Sequence, residues 1–290
     1  MIDLRRVIGL GVAGNFAGHL EQAGEASDFV GVAAAAGRPK GVFPFYVPPP
    51  EVGDAEHFLH TYPLSRDTID HPGTLDGRPA KLQIEPELAL LCKLAYDADG
   101  AVADVTPTHF TAFNDCSTRR PDATKISQKK NWGPNTQGLA DDPWIKLDRF
   151  APGGVLDRFR LASFLKRGGT LHPYGEDAPV AGPDGYGTMY GDLIDWLIDR
   201  LNHQPDHGPL EDLAGWLRRA GRPTHAVVAI GATRYLAFGE ANFLEPGDES
   251  IVVVYDAQVH PPEAPPGLLE LPGDGRTLAV LRQRVVLREA

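Results

Sequence analysis

Proline and glycine interrupt this chain at short intervals, and that spacing restricts the folds it can adopt. The sequence has 26 prolines and 32 glycines, distributed over all of its 290 residues. Both residues end regular elements, because proline lacks a backbone N–H and glycine favours turns. The pattern therefore predicts a mixed α+β fold that is rich in short strands, rather than a bundle of long helices.

Two segments nevertheless show clear helical periodicity. In YGDLIDWLIDRLN, leucine and isoleucine recur at helical spacing from Leu193 to Leu201, while aspartate and arginine occupy the other face. In PLEDLAGWLRRAG, Pro209 lies near the start and Gly221 follows the end, which is the usual asymmetry of helix termini. A third, short helix is predicted over 15–22. Strands are predicted over 5–10, 29–35, 81–96, 111–117, 226–230 and 251–255, and loops over 39–50 and 133–154.

The composition excludes several classes of protein. The net charge of -11, without any run of basic and aromatic residues to offset it, predicts that nucleic acid is not a partner. Cys92 and Cys116 are too few for a disulfide framework or a cysteine-based zinc site. The segment MIDLRR lacks the apolar core of a signal peptide, and no run of about 18 apolar residues occurs. We therefore expect a cytoplasmic protein that has no membrane partner.

Near the N-terminus, Gly9, Gly11 and Gly14 have the spacing G-x-G-x-x-G of a dinucleotide-binding turn. In that motif the next strand ends in an acidic residue that binds the ribose. Here the next predicted strand, FVGVAAAAG, has no Asp or Glu at its carboxyl end, and Asp28 precedes it. An NAD-dependent oxidoreductase is therefore the least favoured of the three functional hypotheses that the sequence allows.

Three carboxylates stand where a metal site is expected. Glu85 and Glu87 are two residues apart, so both side chains lie on one face of an extended strand, and Pro86 between them suits an edge or irregular strand. Taken alone, this pair also fits a solvated strand face. Asp115 ends the apolar run of FTAFNDCSTRR, where a buried carboxylate needs a partner. A hard divalent cation, Mg²⁺ or Mn²⁺, fits this set better than zinc, because no His or Cys grouping has ligand spacing.

Several blocks of the chain resemble the fumarylacetoacetate hydrolase family. Asn15, Phe16 and His19 match the family's N-[YF]-x-x-H-x-x-E segment, in which this chain has Gln22 in place of the glutamate. EPEL matches the family's E-x-E-L, NDCSTR is similar to its N-D-x-S-x-R, and GATRYLAFGEANFLEPGD resembles its late T-G-T turn and P-G-D. The region 121–190 matches poorly. The matching positions in the later blocks are Glu85, Glu87, Leu88, Asn114, Asp115, Ser117, Arg119, Gly231, Thr233, Pro246, Gly247 and Asp248.

The resemblance implies the family's mixed β-sandwich roll and a homodimer. It predicts one domain over 1–290, with an N-terminal portion (1–70), a β-roll core that contains the metal site (71–260) and a C-terminal extension (261–290). The implied cofactor is Mg²⁺ or Mn²⁺. The implied metal ligands are Glu85, Glu87 and Asp115.

The reaction implied by the resemblance is hydrolysis of a carbon–carbon bond in a diketo acid, or a related decarboxylation or tautomerisation of a small oxo acid. A divalent cation stabilises the enolate that these reactions share. His19 would act as the base, Arg119 would bind a substrate carboxylate, and Lys130, in preference to Lys129 or Lys146, would face the oxyanion. The predicted substrate contacts are Gln83, Ser117 and Thr233.

Each of these residues also has an ordinary structural explanation. His19 could instead be a residue on the helix surface, and Arg119 could be a surface charge in a polar run. The adjacent lysines could be a solvated pair, and Cys116 is expected to pack as a small apolar residue in the core. A non-catalytic protein of the same fold that binds a metal and a small acid is therefore the second alternative.

Overall fold

The elements are short and mostly extended. The computed structural model describes residues 2–29, 31–32, 38–49, 57–120, 122–140 and 143–288. The strands are β1 (Ile8–Ala13), β2 (Gly41–Tyr46), β3 (Leu64–Ser65), β4 (Thr68–His71), β5 (Thr74–Leu75), β6 (Arg78–Pro79), β7 (Leu82–Gln83), β8 (Pro86–Tyr96), β9 (Val102–Asn114), β10 (Ser117–Thr118), β11 (Gln137–Leu139), β12 (Ile145–Lys146), β13 (Phe159–Arg167), β14 (Thr170–Pro179), β15 (His225–Ala229), β16 (Glu249–Asp256) and β17 (Leu278–Leu287). The α-helices are α1 (His19–Gln22), α2 (Ser127–Lys130), α3 (Tyr190–His203), α4 (Leu213–Arg219), α5 (Ala237–Ala241) and α6 (Pro265–Leu268). Short 3₁₀ turns lie at Leu4–Arg6, Ala26–Phe29, Phe58–His60 and Val155–Arg158.

Two larger sheets form the body of the described structure. The first has the strand order β2-β1-β15-β8-β9-β11-β3, and β12 also pairs with β9. The second has the order β14-β13-β16-β17-β4. Two small ribbons, β7 with β10 and β5 with β6, accompany them. The α+β, β-rich fold class predicted from the sequence is confirmed.

The main core lies between the two sheets. The strands β8 and β9 pack against β13, β16 and β17. Leu90 and Phe110 from the first sheet meet Leu161, Val252 and Leu281 from the second, all almost fully buried. Burial of such side chains contributes roughly 1.5–3 kcal/mol each. The two sheets therefore form one sandwich.

The predicted long helix is confirmed as α3 (Tyr190–His203). Leu193, Leu197 and Leu201 form its buried stripe and join the same core. The second predicted helix is confirmed as α4, in which Asp212 accepts a hydrogen bond from the N–H of Gly215 and so caps the start.

The glycines of the N-terminal motif serve packing. A Cβ at Gly9 would lie 2.1 Å from the ring of Phe45, and one at Gly11 would lie 2.2 Å from the ring of Phe43. Among the described residues the next strand is β2, which pairs antiparallel with β1, whereas a dinucleotide-binding unit requires a parallel partner reached by a helical crossover. The dinucleotide interpretation is therefore wrong.

Several element predictions need correction. The predicted loop 39–50 contains β2, whose six residues are all buried and therefore show no alternation. The predicted strand 29–35 is not supported at Phe29, which ends a 3₁₀ turn, and residues 30 and 33–37 lie outside the described residues. The predicted loop 133–154 contains β11 and β12.

Of the two alternatives for Pro86, an edge or an irregular strand, the edge strand is wrong and the irregular strand is what the structure shows. Pro86 is the first residue of β8, which lies between β15 and β9 in the interior of the sheet. The strand prediction over 81–96 is confirmed, with a break between β7 and β8 at 84–85. The break is where Glu85 lies, so the irregularity adjoins the predicted site.

The division into portions at 70 and 260 stays a prediction. Strands β1 and β2, from the first portion, lie in the sheet that contains β8 and β9. Strand β17, from the last portion, lies between β16 and β4 in the second sheet.

Candidate active site

The predicted site residues meet at one edge of the first sheet. Strands β1 and β15 are parallel, so His19 and Thr233, which follow them, lie at the same edge. Strand β8 is antiparallel to β15 and begins at this edge with Pro86 and Glu87, and β9, antiparallel to β8, ends there before Asp115. The directions of these four strands therefore bring residues that are distant in the sequence to the same edge of the sheet.

The three predicted metal ligands form one buried cluster. Carboxylate oxygens of Glu85, Glu87 and Asp115 lie within 4.8 Å of one another. The backbone connects the cluster, because the N–H of Asp115 donates to the carbonyl oxygen of Glu85 at 2.9 Å. The N–H of Gly231 donates to Oε2 of Glu87 at 2.7 Å. The main chain therefore keeps Glu85 and Asp115 adjacent and fixes the side chain of Glu87.

Lys130 supplies a positive charge within this cluster. Its Nζ lies 2.5 Å from Oε2 of Glu85 and 2.7 Å from Oδ2 of Asp115. It also donates to the carbonyl oxygen of Asp115 at 3.2 Å. Burial opposes the charged lysine, but the two carboxylates outweigh it and raise the pKa of Lys130 above its usual range. The lysine is therefore an ammonium ion.

The three carboxyl groups differ in their protonation. Burial opposes ionisation of Glu85, but Lys130 and Arg119 outweigh it and hold the pKa of Glu85 well below its usual range. Burial, reinforced by Asp115, raises the pKa of Glu87 well above its usual range. Burial also raises the pKa of Asp115 to about 6. Glu85 is therefore ionised in the protein, whereas the surroundings of Glu87 and Asp115 favour the protonated carboxyl.

The cluster has the chemistry of a site for a hard cation. Oδ1 of Asp115 is buried and has no hydrogen-bond partner, whereas Oε1 of Glu85 lies 3.1 Å from Nη2 of Arg119. Buried oxygens without donors are costly unless something binds them. All the candidate ligand atoms in the cluster are oxygens, the donors that Mg²⁺ and Mn²⁺ prefer. The residues present therefore fit a divalent cation.

His19 faces the cluster in one defined tautomer. Its Nδ1 lies 2.8 Å from the carbonyl oxygen of Thr233, which can only accept, so Nδ1 carries the proton. Its Nε2 lies 3.7 Å from Oε2 of Glu85 and has no hydrogen-bond partner. When the ring is neutral, its lone pair therefore lies on Nε2, inside the site.

Arg119 is half-buried, and each nitrogen of its side chain contacts a protein group. Its Nε donates to Gln83 at 2.5 Å, its Nη1 to Glu25 at 2.9 Å and its Nη2 to the hydroxyl of Tyr235 at 2.8 Å. The Nη2 atom also lies 3.1 Å from Oε1 of Glu85. These contacts make Arg119 a partner of protein acids, and binding of a substrate carboxylate would require it to exchange one of them.

The predicted substrate contacts lie in different surroundings. The amide of Gln83 accepts from Arg119 and donates to the carbonyl oxygen of Gly239 at 2.9 Å. The hydroxyl of Ser117 lies 3.4 Å from Nη1 of Arg119. The hydroxyl of Thr233 is buried without a partner. Of the three, Thr233 has the group that is free to bind a ligand.

The structure distinguishes the three candidate lysines. Lys130 lies in the carboxylate cluster, and Lys129 lies with Nζ 3.4 Å from Glu25. Lys146 is exposed on β12 and pairs with His109 of β9. The Cys116 side chain is fully buried, as expected of an apolar core residue.

The sequence did not indicate Glu25, and it indicated Asn114 only as a matching position without a role. Glu25 is buried and binds both Arg119 and Lys129, although GEAS gives no sign of burial. The side-chain oxygen of Asn114 accepts from the N–H of Glu85 at 3.1 Å and so stabilises the break between β7 and β8. The N-D pair of the NDCSTR block was a usable signal for Asn114, whereas no local signal identified Glu25.

Comparison with solved structures defines the fold. Yeast ynq8, a fumarylacetoacetate hydrolase family protein, matches with a TM-score of 0.52 at 12% identity, covering 99% of this chain and 96% of that chain. The fumarylacetoacetate hydrolase from Exiguobacterium antarcticum matches with a TM-score of 0.51 at 13% identity, covering 97% and 76%. A 2-keto-3-deoxy-D-arabinonate dehydratase, complexed with magnesium and 2,5-dioxopentanoate, matches with a TM-score of 0.51 at 13% identity, covering 98% and 74%. The chain therefore has the fumarylacetoacetate hydrolase fold, as the resemblance predicted.

The family itself is identified by a sequence model. The chain belongs to DUF5718, a family of unknown function, whose model matches residues 25–285. No curated protein matches the chain. Among the described residues, no helix is long and apolar enough to cross a membrane.

Proposed function

We propose that this protein is a metal-dependent lyase or hydrolase that acts on a small oxo or diketo acid. The observation that carries the proposal is the buried cluster of Glu85, Glu87 and Asp115, which has an unpartnered oxygen on Asp115 and lies beside the free Nε2 of His19. Cation ligands and a base within one site are what enolate chemistry requires. The dehydratase of the same fold, complexed with magnesium and 2,5-dioxopentanoate, supports this substrate class.

The proposed ligands of Mg²⁺ or Mn²⁺ are Glu85, Glu87 and Asp115. When bound, the cation would polarise the oxo and carboxylate oxygens of a substrate and stabilise an enolate. His19 accepts a proton at Nε2, because Nδ1 is already protonated and held by Thr233. The chemistry therefore needs no change of tautomer.

Two further groups complete the proposed mechanism. The ammonium of Lys130 stabilises negative charge that develops on a substrate oxygen, at the cost of loosening its contacts with Glu85 and Asp115. The free hydroxyl of Thr233 donates to a second substrate oxygen. We propose that Arg119, held by Glu25, keeps Glu85 ionised rather than binding substrate directly.

A screen of oxo and diketo acids tests this proposal. We expect turnover that requires Mg²⁺ or Mn²⁺ and that falls by about 10²–10⁴-fold in His19→Gln, which is the usual contribution of a general base. His203→Gln is the matched control, since that histidine is exposed and lies on α3. Absence of turnover with every acid, or equal turnover in wild type and His19→Gln, would contradict the proposal.

A non-catalytic protein that binds a metal and a small acid is the second candidate. It is favoured by the contacts of Arg119, because each nitrogen of its side chain already donates a hydrogen bond to a protein group. Metal binding without turnover of any oxo acid would support this candidate over the first. The homodimer implied by the resemblance stays a prediction, which sedimentation of the purified protein tests.

A further inference from the structure

Gln22 makes a two-way pairing with the main chain of Tyr235. Its Nε2 donates to the carbonyl oxygen of Tyr235 at 3.2 Å, and the N–H of Tyr235 donates to its Oε1 at 2.9 Å. A side-chain amide supplies both a donor and an acceptor, whereas an ionised carboxylate only accepts. A glutamate at this position would therefore leave the carbonyl of Tyr235 facing a negative charge.

His19 holds the same segment from the same helix face. His19 and Gln22 are three residues apart on α1, which places both side chains on one side of the helix. His19 binds the carbonyl oxygen of Thr233, and Gln22 binds the main chain of Tyr235. The helix thus pairs with alternate residues of the segment 233–235.

Other contacts place this segment within the site. The N–H of Thr233 donates to the carbonyl oxygen of Pro86, at the start of β8, at 3.2 Å. The hydroxyl of Tyr235 accepts from Arg119 at 2.8 Å, and its ring centroid lies 5.2 Å from that of His19. A displacement of Tyr235 would therefore move the carbonyl to which His19 is bound.

We propose that Gln22 is the positioning residue for His19. By holding the main chain of Tyr235, Gln22 keeps the carbonyl of Thr233 within hydrogen-bond distance of Nδ1. That contact keeps the proton on Nδ1 and directs the lone pair of Nε2 towards Glu85. The inference rests on the proposed role of His19 as the base, and it assigns a purpose to the amide that stands in place of the glutamate.

The imidazole tautomer provides a test that needs neither metal nor substrate. Nitrogen-15 NMR at about pH 8, where an ordinary imidazole is neutral, separates the two tautomers, and loss of the signal in His19→Asn assigns it. We expect wild type to hold the Nδ1–H form. In Gln22→Ala and Gln22→Glu, the ratio of the Nδ1–H to the Nε2–H form should fall by about tenfold, the net effect of one hydrogen bond.

The control is Glu21→Gln, which alters the exposed neighbour on the same helix and should keep the wild-type ratio. Gln22→Glu retains the acceptor for Tyr235, so it gives the answer if Gln22→Ala does not fold. An unchanged ratio in a folded Gln22 variant, or the Nε2–H form in wild type, would overturn the inference. A changed ratio without turnover of any oxo acid would support the positioning role of Gln22 and contradict the proposed function. An unchanged ratio with turnover of an oxo acid would support the proposed function and contradict the positioning role.

Discussion

Lys130 shows how much of the site depends on a single side chain. Its ammonium lies among buried carboxyl groups, where a charge survives only because it is paired. The sequence could not select it, because Lys129, Lys130 and Lys146 all stand in polar stretches. The distinction arises from α2, which buries Lys129 and Lys130 against the site, and from β12, which exposes Lys146.

We expect Lys130→Met to destabilise the metal-free protein by about 3–5 kcal/mol, because it leaves Glu85 and Asp115 without their buried partner. Added Mg²⁺ should recover part of the loss by supplying a replacement charge. Urea unfolding with and without metal measures both effects. Lys146→Met is the control and should change stability by less than about 0.5 kcal/mol, since it is a surface position; an equal effect of the two substitutions would contradict the account.

At the level of elements, the short helix α2 is secured by the segment before α4. The N–H of Ile126 donates to the carbonyl oxygen of Pro209 at 3.1 Å, and the hydroxyl of Ser127 donates to the buried Oε1 of Glu211. Lys125 binds the carbonyl oxygen of Leu210 at 2.6 Å. These contacts set the direction in which α2 presents its lysines.

The stability contributed by Glu211 should depend on pH. Burial raises the pKa of Glu211 from 4.5 to about 7, so the folded state favours the protonated carboxyl. This contribution is complete below about pH 4.5 and is lost as the pH rises to about 7, by roughly 3 kcal/mol. Glu211→Gln should remove this part of the pH dependence in urea unfolding between pH 5 and 7, and the same slope in wild type and variant would contradict the assignment. Glu240→Gln, at an exposed position on α5, is the control.

Strand β2, which pairs with β1, was not predicted from the sequence. The alternation expected of a strand is absent from GVFPFY because both faces are buried, and a proline is tolerated there because β2 is the end strand of its sheet. The glycines of β1 were the sequence signal for this packing, because Gly9 and Gly11 leave space for the rings of Phe45 and Phe43.

Gly9→Ala should therefore destabilise the fold by about 1–3 kcal/mol, because its Cβ would lie 2.1 Å from the ring of Phe45. Gly191→Ala is a matched comparison in α3, where a Cβ would meet nothing within 4 Å, and should be neutral or stabilising by up to about 1 kcal/mol. Thermal and urea unfolding compare the two variants. A tolerated Gly9→Ala would show that the rings of β2 do not require the glycine.

For the whole molecule, the site exists because four strands reach one edge of the same sheet. The sequence predicted the β-rich class and named residues that the fold brings together, because E-x-E and N-D-x-S-x-R are local patterns. It did not predict Glu25, or the engagement of Arg119 by protein groups, because both depend on contacts between distant segments. The order of the strands is likewise a property of long-range pairing, which periodicity does not encode.

Binding of a divalent cation by the buried carboxylates can be measured by thermal unfolding of chelator-treated protein with and without Mg²⁺ or Mn²⁺. At about 100 times the dissociation constant, binding to the folded state adds about 2.7 kcal/mol, which raises the midpoint by several degrees in a protein of this size. We expect that rise in wild type and in Asp195→Asn, an exposed position on α3, and its loss in Asp115→Asn. No rise in wild type at saturating metal, or an equal rise in Asp115→Asn, would contradict the account.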